Sequence, residues 1–403
     1  MAKKTLQDVP TDSLAGRLVV VRVDYNVPLN DDGEISDRTR LIRTLPTLRH
    51  LMDHGARVVL LSHFGRPQGR PDSALSLEGV AAELRELLES PVEFVADTTG
   101  ANAHTAVEAV GEGGVLLLEN TRFYAEDTAN DRDWAEELRH GATLFVNDAF
   151  GGAHRAHAST TGIAEAVREA GGEAVAGFLM ENELRFLGDA LVEPQRPFVA
   201  VVGGAKISGK IEVIEALLPT VDRLLIGGAM ANTFFLALGL EVGRSLVEAD
   251  RVEIARDIMA RAGEKILLPV DVVTASTLVP GVETREGPRT GVGPTDRIGD
   301  IGPASIKLFS DTVAAAGTVL WNGPMGMFEV VEFETGTVTL AQVAAHAADS
   351  GTTVVLGGGD SAAAAEAAGV ASRMTHVSTG GGAALEFLSG TELPGVEALS
   401  DRA

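Results

Sequence analysis

A chain of 403 residues, 45% hydrophobic and 22% charged, is long enough that two domains are expected rather than one core. Its formal net charge of −24 argues against nucleic acid as a partner, yet leaves room for a small anion held by a local arginine cluster. With no cysteine there are no disulfides or thiolate metal sites; with no apolar signal core in MAKKTLQDVP and no apolar run of roughly 18–20 residues, a soluble cytoplasmic chain with no membrane partner is expected.

Short apolar runs alternate with amphipathic segments from end to end. Strands are expected at Leu18–Val23, Arg57–Leu61, Val115–Leu118 and Thr143–Val146, with helices at Thr39–Asp53, Leu77–Glu89 and Asp131–His140. The second half repeats the rhythm. Its strands are expected at Phe198–Val202, Arg223–Ile226, Lys265–Leu268, Thr318–Trp321 and Thr353–Leu356, with helices such as Lys210–Leu218 and Val247–Ala262 between them. Such alternation implies parallel sheets covered by helices on both faces. Between the halves, Met180–Leu191 has a helical pattern that Pro194-Gln195-Arg196-Pro197 stops, which places the domain junction there. Thr277–Pro303, rich in glycine, proline and charge, has no period and reads as a long surface loop with room for short strands.

In open α/β sheets, ligands bind at the carboxyl ends of the strands. In the first half those ends carry Arg22, Asp24 and Asn26, then Ser62-His63-Phe64-Gly65-Arg66, then Glu119-Asn120-Thr121-Arg122, and finally the run Asn147 to Arg155; Arg40 lies early in the first helix. Any one of these could be an ordinary surface ion pair. Their recurrence after successive strands points to an anion pocket, for which the planar fork of arginine is suited.

In the second half the strand ends carry glycine. Val199–Lys210 (VAVVGGAKISGK) reads as a strand, a Gly203-Gly204 turn and a first helical turn with Lys206 and Lys210 four apart, about 5–6 Å at Cβ. That is a polyphosphate site or, on this stretch alone, a plain turn with two solvated lysines. Gly204 to Lys210 satisfies the spacing of a nucleotide-hydrolase phosphate loop, but Ile211 stands where a hydroxyl would hold Mg²⁺. Further turns carry Gly227-Gly228, Asn322-Gly323-Pro324, Gly357-Gly358-Gly359-Asp360-Ser361 and Gly380-Gly381-Gly382. A carboxylate beside phosphates, here Asp360, suggests Mg²⁺. Gly357–Ala362 also fits a dinucleotide fingerprint, but no acidic residue follows about 20 positions on, Glu386 lying well beyond. One half is built for a small anion and the other for a nucleotide.

The blocks VRVDYNVPL, SHFGRP, ENTRFY, NDAFGGAHRAHAST, GFLMENEL, GGAKISGK, LWNGPMGMFE, GGGDS and HVSTGGGA occur in this order, from Leu18 to the final LPGVEAL. They resemble the successive signature blocks of the phosphoglycerate kinase family. The resemblance implies an α/β fold of two Rossmann-like three-layer αβα domains, each with a mainly parallel sheet, joined by a helix. Residues 1–178 would bind phosphoglycerate, 179–192 would connect, and 193–390 would bind the nucleotide. The tail from about 391, Leu393–Ala403 in particular, would pack back on the first domain. The implied reaction is Mg²⁺-dependent phosphoryl transfer between 1,3-bisphosphoglycerate/ADP and 3-phosphoglycerate/ATP, as in glycolysis and gluconeogenesis, in a monomer. If each domain carries one substrate they must close, with Glu181–Leu191 as a hinge candidate.

Carried over position by position, Asp24, Asn26, Arg40, His63, Arg66, Arg122 and Arg155 match the family's phosphoglycerate pocket. Lys206 and Lys210 match its nucleotide-phosphate lysines, Gly302 a backbone contact near the adenine, and Glu329 the ribose-binding glutamate. Asn322 falls on the same nucleotide side, and Gly358, Gly359, Asp360 and Ser361 match the phosphate and Mg²⁺ segment, with Asp360 on the metal. Arg40 and Lys206, with amides near Gly359 and Gly382, would face the transferring phosphoryl. The acceptor is a carboxylate, so no general base is needed. The departures are Gly151-Gly152-Ala153, Ser361 where threonine is also common, and the loop Thr277–Asp300. A catalytically silent nucleotide binder of the same fold is the alternative; loss of Arg40 or Lys206 would mark it, and both are present.

Overall fold

The computed structural model describes residues 3–30 and 32–402. The chain divides into two compact units inside one helix, Phe178–Val192: the first runs to Leu184 and takes back the segment from Glu392, and the second is Arg185–Thr391.

The first unit carries β1 (Leu18–Arg22), β2 (Arg57–Leu61), β3 (Val92–Val95), β4 (Val115–Leu118), β5 (Leu144–Asn147) and β6 (Glu173–Ala176) in one sheet of order β3-β4-β2-β1-β5-β6. Every pairing in it is parallel. A parallel sheet is covered on both faces, so its central strands are near-continuous apolar runs, as LVVVR and RVVLL are here apart from one terminal arginine each. The helix Thr39–Asp53 buries Leu41, Leu45, Leu48 and Leu51, the three- and four-residue spacing that keeps one face on the sheet.

In the second unit β7 (Phe198–Val202), β8 (Arg223–Ile226), β9 (Ile266–Leu267), β13 (Thr318–Asn322), β14 (Thr353–Leu356) and β15 (His376–Val377) form a parallel sheet of order β15-β14-β13-β7-β8-β9. Its core gathers Trp321, Phe309, Leu340 and Val354, all essentially inaccessible. Full burial of such a side chain contributes about 1.5–3 kcal/mol. The expected architecture of two parallel-sheet α/β domains is what the chain adopts.

The stretch Thr277–Pro303, expected as a surface loop with room for short strands, carries two of them: with β10 (Asp271–Ala275), its β11 (Arg285–Pro288) and β12 (Arg297–Ile301) make an antiparallel sheet of order β11-β10-β12. β11 is mostly exposed, so no apolar alternation announces it.

The segment from Glu392 lies on the first unit. Lys4 N donates to Ser400 O at 2.7 Å, and Gly395 N to Ala153 O at 2.9 Å. Asn147 Nδ2 donates to Gly395 O at 3.0 Å, and a Cβ on Gly395 would approach Ala153 Cα to 2.9 Å. Ala403 lies outside the described residues. No helix among the described residues is long and apolar enough to cross a membrane.

Candidate active site

Because the strands of the first sheet are parallel and in register, the segments following β1, β2, β4 and β5 leave it at one edge. There they are stapled by side chains. Asn26 Oδ1 accepts from Gly65 N at 2.8 Å. Asn120, fully buried, accepts from Phe64 N and Arg122 N and donates to Phe64 O at 2.7 Å and Leu75 O at 3.0 Å. The rim is therefore tied together by the chain's own hydrogen bonds.

A cavity of about 150 Å³ opens between these segments, lined by Asn26, His63, Gly65, Arg66, Arg122, Gly151, Gly152, His154, Arg155 and His157. Five of the seven residues matched to a phosphoglycerate pocket meet on its wall. Asp24 and Arg40 are ion-paired to each other, and Asp24 Oδ1 lies 3.8 Å from His63 Nδ1. Burial opposes ionisation of Asp24, but His63, Arg40 and Arg22 outweigh it and hold the carboxyl below its usual range. Burial drives His63 down to about 3, against the pull of Asp24 and with help from Arg22 and Arg122. Burial and then Arg122 bring His157 to about 4. Both rings are neutral at pH 7, so the positive charge of the cavity comes from arginine. Arg66 and Arg155 are exposed.

Sequence reasoning passed over His157 and the buried Asp127, which accepts from Arg122 Nε at 3.0 Å. His157 follows no strand end; it precedes the turn Ala158–Gly162, and its signal is the repeat of histidine three positions after His154.

The second unit presents a larger cavity, about 550 Å³, with apolar walls that include Phe235, Leu246, Val272, Leu278, Met325 and Met327. Glu329 and Asp360 also line it, as do Gly204, Gly228 and Pro324 from the glycine turns. Those turns touch through their backbones. Gly203 N donates to Asn322 O at 2.9 Å, Gly204 N to Pro324 O at 3.0 Å, and Gly228 N to Met325 O at 2.8 Å. A Cβ on Gly203 would overlap the Pro324 carbonyl oxygen, so only glycine allows the approach.

Lys206 is exposed, next to Ala205 on the cavity wall. Lys210 donates through Nζ to Asn322 Oδ1; burial lowers its pKa and the charge of Asp360 opposes the shift. Gly358, at φ +89°, turns the chain into the helix Gly359–Ala367, which opens with Gly359 and Asp360. Gly382 likewise opens the helix Gly382–Leu388, off the cavity wall.

Two matched positions do other work in this structure. Ser361 is fully buried, accepting from Gly323 N at 2.6 Å and donating to Gly357 O at 3.0 Å. Its hydroxyl joins two turns. Gly302 precedes the helix Pro303–Ala314, where Asp271 accepts from Ala304 N and Ser305 N, and a Cβ there would strike that carboxylate. The cavity wall is formed instead by Ile298 to Ile301. Within it Asp300 is buried and accepts from Ile301 N at 2.8 Å and Gly336 N at 2.7 Å; burial pushes its carboxyl up to about 7, against those two bonds.

No group of three or more histidine or acidic side chains that could hold a metal occurs among the described residues. Asp360 alone suits a hard cation that takes its other oxygens from phosphate and water, so the donor set fits a nucleotide-bound Mg²⁺.

The family model for phosphoglycerate kinase matches residues 6–391. The phosphoglycerate kinase of Chlorobium chlorochromatii is 51% identical over the full length of both chains, and that of Chloroflexus aggregans is 52% identical, again over both chains in full. Among solved structures, phosphoglycerate kinase from Coxiella burnetii superposes with a TM-score of 0.88 at 38% identity, and that from Pyrococcus horikoshii with 0.83 at 34%. Each covers 98% of both chains.

Proposed function

The chain belongs to the phosphoglycerate kinase family, a family of enzymes, and from that premise we propose how its residues divide the work. The substrates are 3-phosphoglycerate with ATP in one direction and 1,3-bisphosphoglycerate with ADP in the other. The first unit binds the phosphoglycerate and the second the nucleotide. One observation carries the reading: Asn26, His63, Arg66, Arg122 and Arg155 line one small cavity, with Arg40 held on Asp24 beside it.

Arg66, Arg122 and Arg155 anchor the remote phosphate bidentately, and His63 offers a neutral N–H. Asp24 and Asn26 orient the hydroxyl and carboxylate end. The base occupies the apolar cavity, and Glu329 accepts from the ribose hydroxyls. Arg40 and Lys206 neutralise the transferring phosphoryl, helped by backbone N–H groups near Gly359 and Gly382 at helix N-termini. The attacking atom is a carboxylate oxygen, already ionised at neutral pH, so the residues position and neutralise rather than move a proton. Asp360 would hold a Mg²⁺ ion, which supplies further neutralisation of the nucleotide phosphates. Lys210, tied to Asn322, faces the same phosphates. A cytoplasmic monomer is part of the proposal. No feature of the site favours a silent nucleotide binder.

A coupled assay with 3-phosphoglycerate, ATP and Mg²⁺, comparing wild type with Arg40→Ala, tests this. Turnover of about 1–100 s⁻¹ or more that falls at least a hundredfold in the variant is expected. Unchanged activity in Arg40→Ala would remove Arg40 from the reacting phosphoryl. A folded wild type that binds ATP but does not turn over would sink the whole reading.

A further inference from the structure

His63 and His157 on the wall of the anion cavity share one arrangement. Arg22 Nη2 lies 3.1 Å from His63 Nδ1, and Arg122 Nη2 lies 3.0 Å from His157 Nδ1. A guanidinium can only donate, so both Nδ1 atoms accept, and each ring keeps its proton on Nε2. The arginine next to His157 is itself held from behind. Arg122 Nε donates to Asp127 Oδ2 at 3.0 Å, the same oxygen takes Thr121 Oγ1 at 2.9 Å, and Oδ1 takes Ser159 N at 3.1 Å. The Asp127 side chain has no exposed surface. Burial opposes its ionisation, but Arg22 and Arg122, with the Ser159 bonds, hold it ionised and below its usual range. The charged groups that face His157 are Arg122, Asp127, Arg22 and Arg155.

We propose that Asp127 is a positioning residue of the anion pocket: it fixes the plane of Arg122, which in turn holds His157 as a neutral ring with Nε2–H free to donate to the bound anion. The identity of that anion rests on the phosphoglycerate reading above. A relay of this kind asks more of Asp127 than of an ordinary buried ion pair. Both its oxygens accept from N–H or O–H donors, so Asn in its place would turn an N–H₂ against at least one of them. Arg122 would lose its fixed plane, and His157 its donor.

The test has two parts on the full chain. Nitrogen-detected NMR of ¹⁵N-histidine protein without ligand should show His157 as the Nε2–H tautomer, with no titration between about pH 5 and 8, where a free ring would titrate near 6.5. In Asp127→Asn the carboxylate charge that raises His157 is gone, so the ring should stay neutral across this window while its Nδ1 resonance moves as the Arg122 hydrogen bond is lost. The KM for 3-phosphoglycerate should rise about tenfold or more, with the KM for ATP unchanged, as loss of one well-made hydrogen bond to an ion implies. Asp127→Glu, which keeps the carboxylate, should recover most of that loss. A wild-type His157 that titrates near 6.5, or an Asp127→Asn protein with unaltered KM for 3-phosphoglycerate, would overturn the proposal. Should Asp127→Asn fail to fold, the wild-type spectrum decides alone. Failure of the wild type to use 3-phosphoglycerate would count against the ligand, and the spectrum would still judge the relay.

Discussion

In the first unit the strand ends carry side chains that bond to one another; in the second they carry glycines that let backbones touch. The anion cavity is small and polar, and its walls are set by Asn26, Asn120, Asp127 and the arginines they or their neighbours hold. The nucleotide-side cavity is several times larger and mostly apolar, and its shape depends on side chains being absent at Gly203 and Gly228. A small, multiply charged anion rewards fixed donors, because each misaligned hydrogen bond to an ion is costly. A flat base bound by area needs an unobstructed slot. The two units therefore fail in different ways when altered, which gives the comparison its tests.

The largest effect is expected from Lys206→Ala. The side chain is exposed and supports no core, so folding should be untouched while kcat falls about 10²–10³-fold, the usual result of removing a charge-stabilising donor at a reacting centre. A variant that keeps full kcat would move Lys206 out of the reaction. Gly203→Ala should behave in the opposite sense. Overpacking against Pro324 should cost about 1–3 kcal/mol of stability in the second unit, read by calorimetry or denaturant. Unaltered stability would mean the turns can move apart, and the absence of a side chain would no longer explain the cavity.

A smaller effect follows from Asp300. Its folded-state pKa of about 7 stands above the unfolded 3.8, so its contribution is fully present below about 3.8 and is lost as pH rises through 7. The stability advantage of wild type over Asp300→Asn should therefore shrink between pH 5 and pH 8. A difference that is flat with pH, in paired thermal melts, would show that Asp300 is ionised throughout.

The legible parts of the fold were those where one physical demand dominated. Arg57–Leu61, Phe198–Val202 and Thr353–Leu356 sit in their sheets as read, because a strand covered on both faces reads as a near-continuous apolar run. The edge strands β3, β6 and β15 escaped, since VEFV, EAVA and HV are short and only partly enclosed or weakly β-forming. At the site, position after a strand picks out Asn26, His63, Arg66 and Arg122, which line one cavity. It was silent on Asp127 and His157, which come from a short helix and a turn, and it could not tell which partner a serine hydroxyl takes. Ser361 matches a motif, yet its bonds to Gly323 and Gly357 are internal.

The segment from Glu392 lies on the first unit, although the whole second unit precedes it in the chain. Ser400 pairs with Lys4, and Gly395 braces Ala153 beside the anion cavity. On a ribosome these partners are made after the whole second unit. The first unit thus waits, with Ala153 and its neighbours unbraced, until all of Arg185–Thr391 has been synthesised. The unit begun first is completed after the second, and the wall beside its anion cavity is braced only once Gly395 has been made.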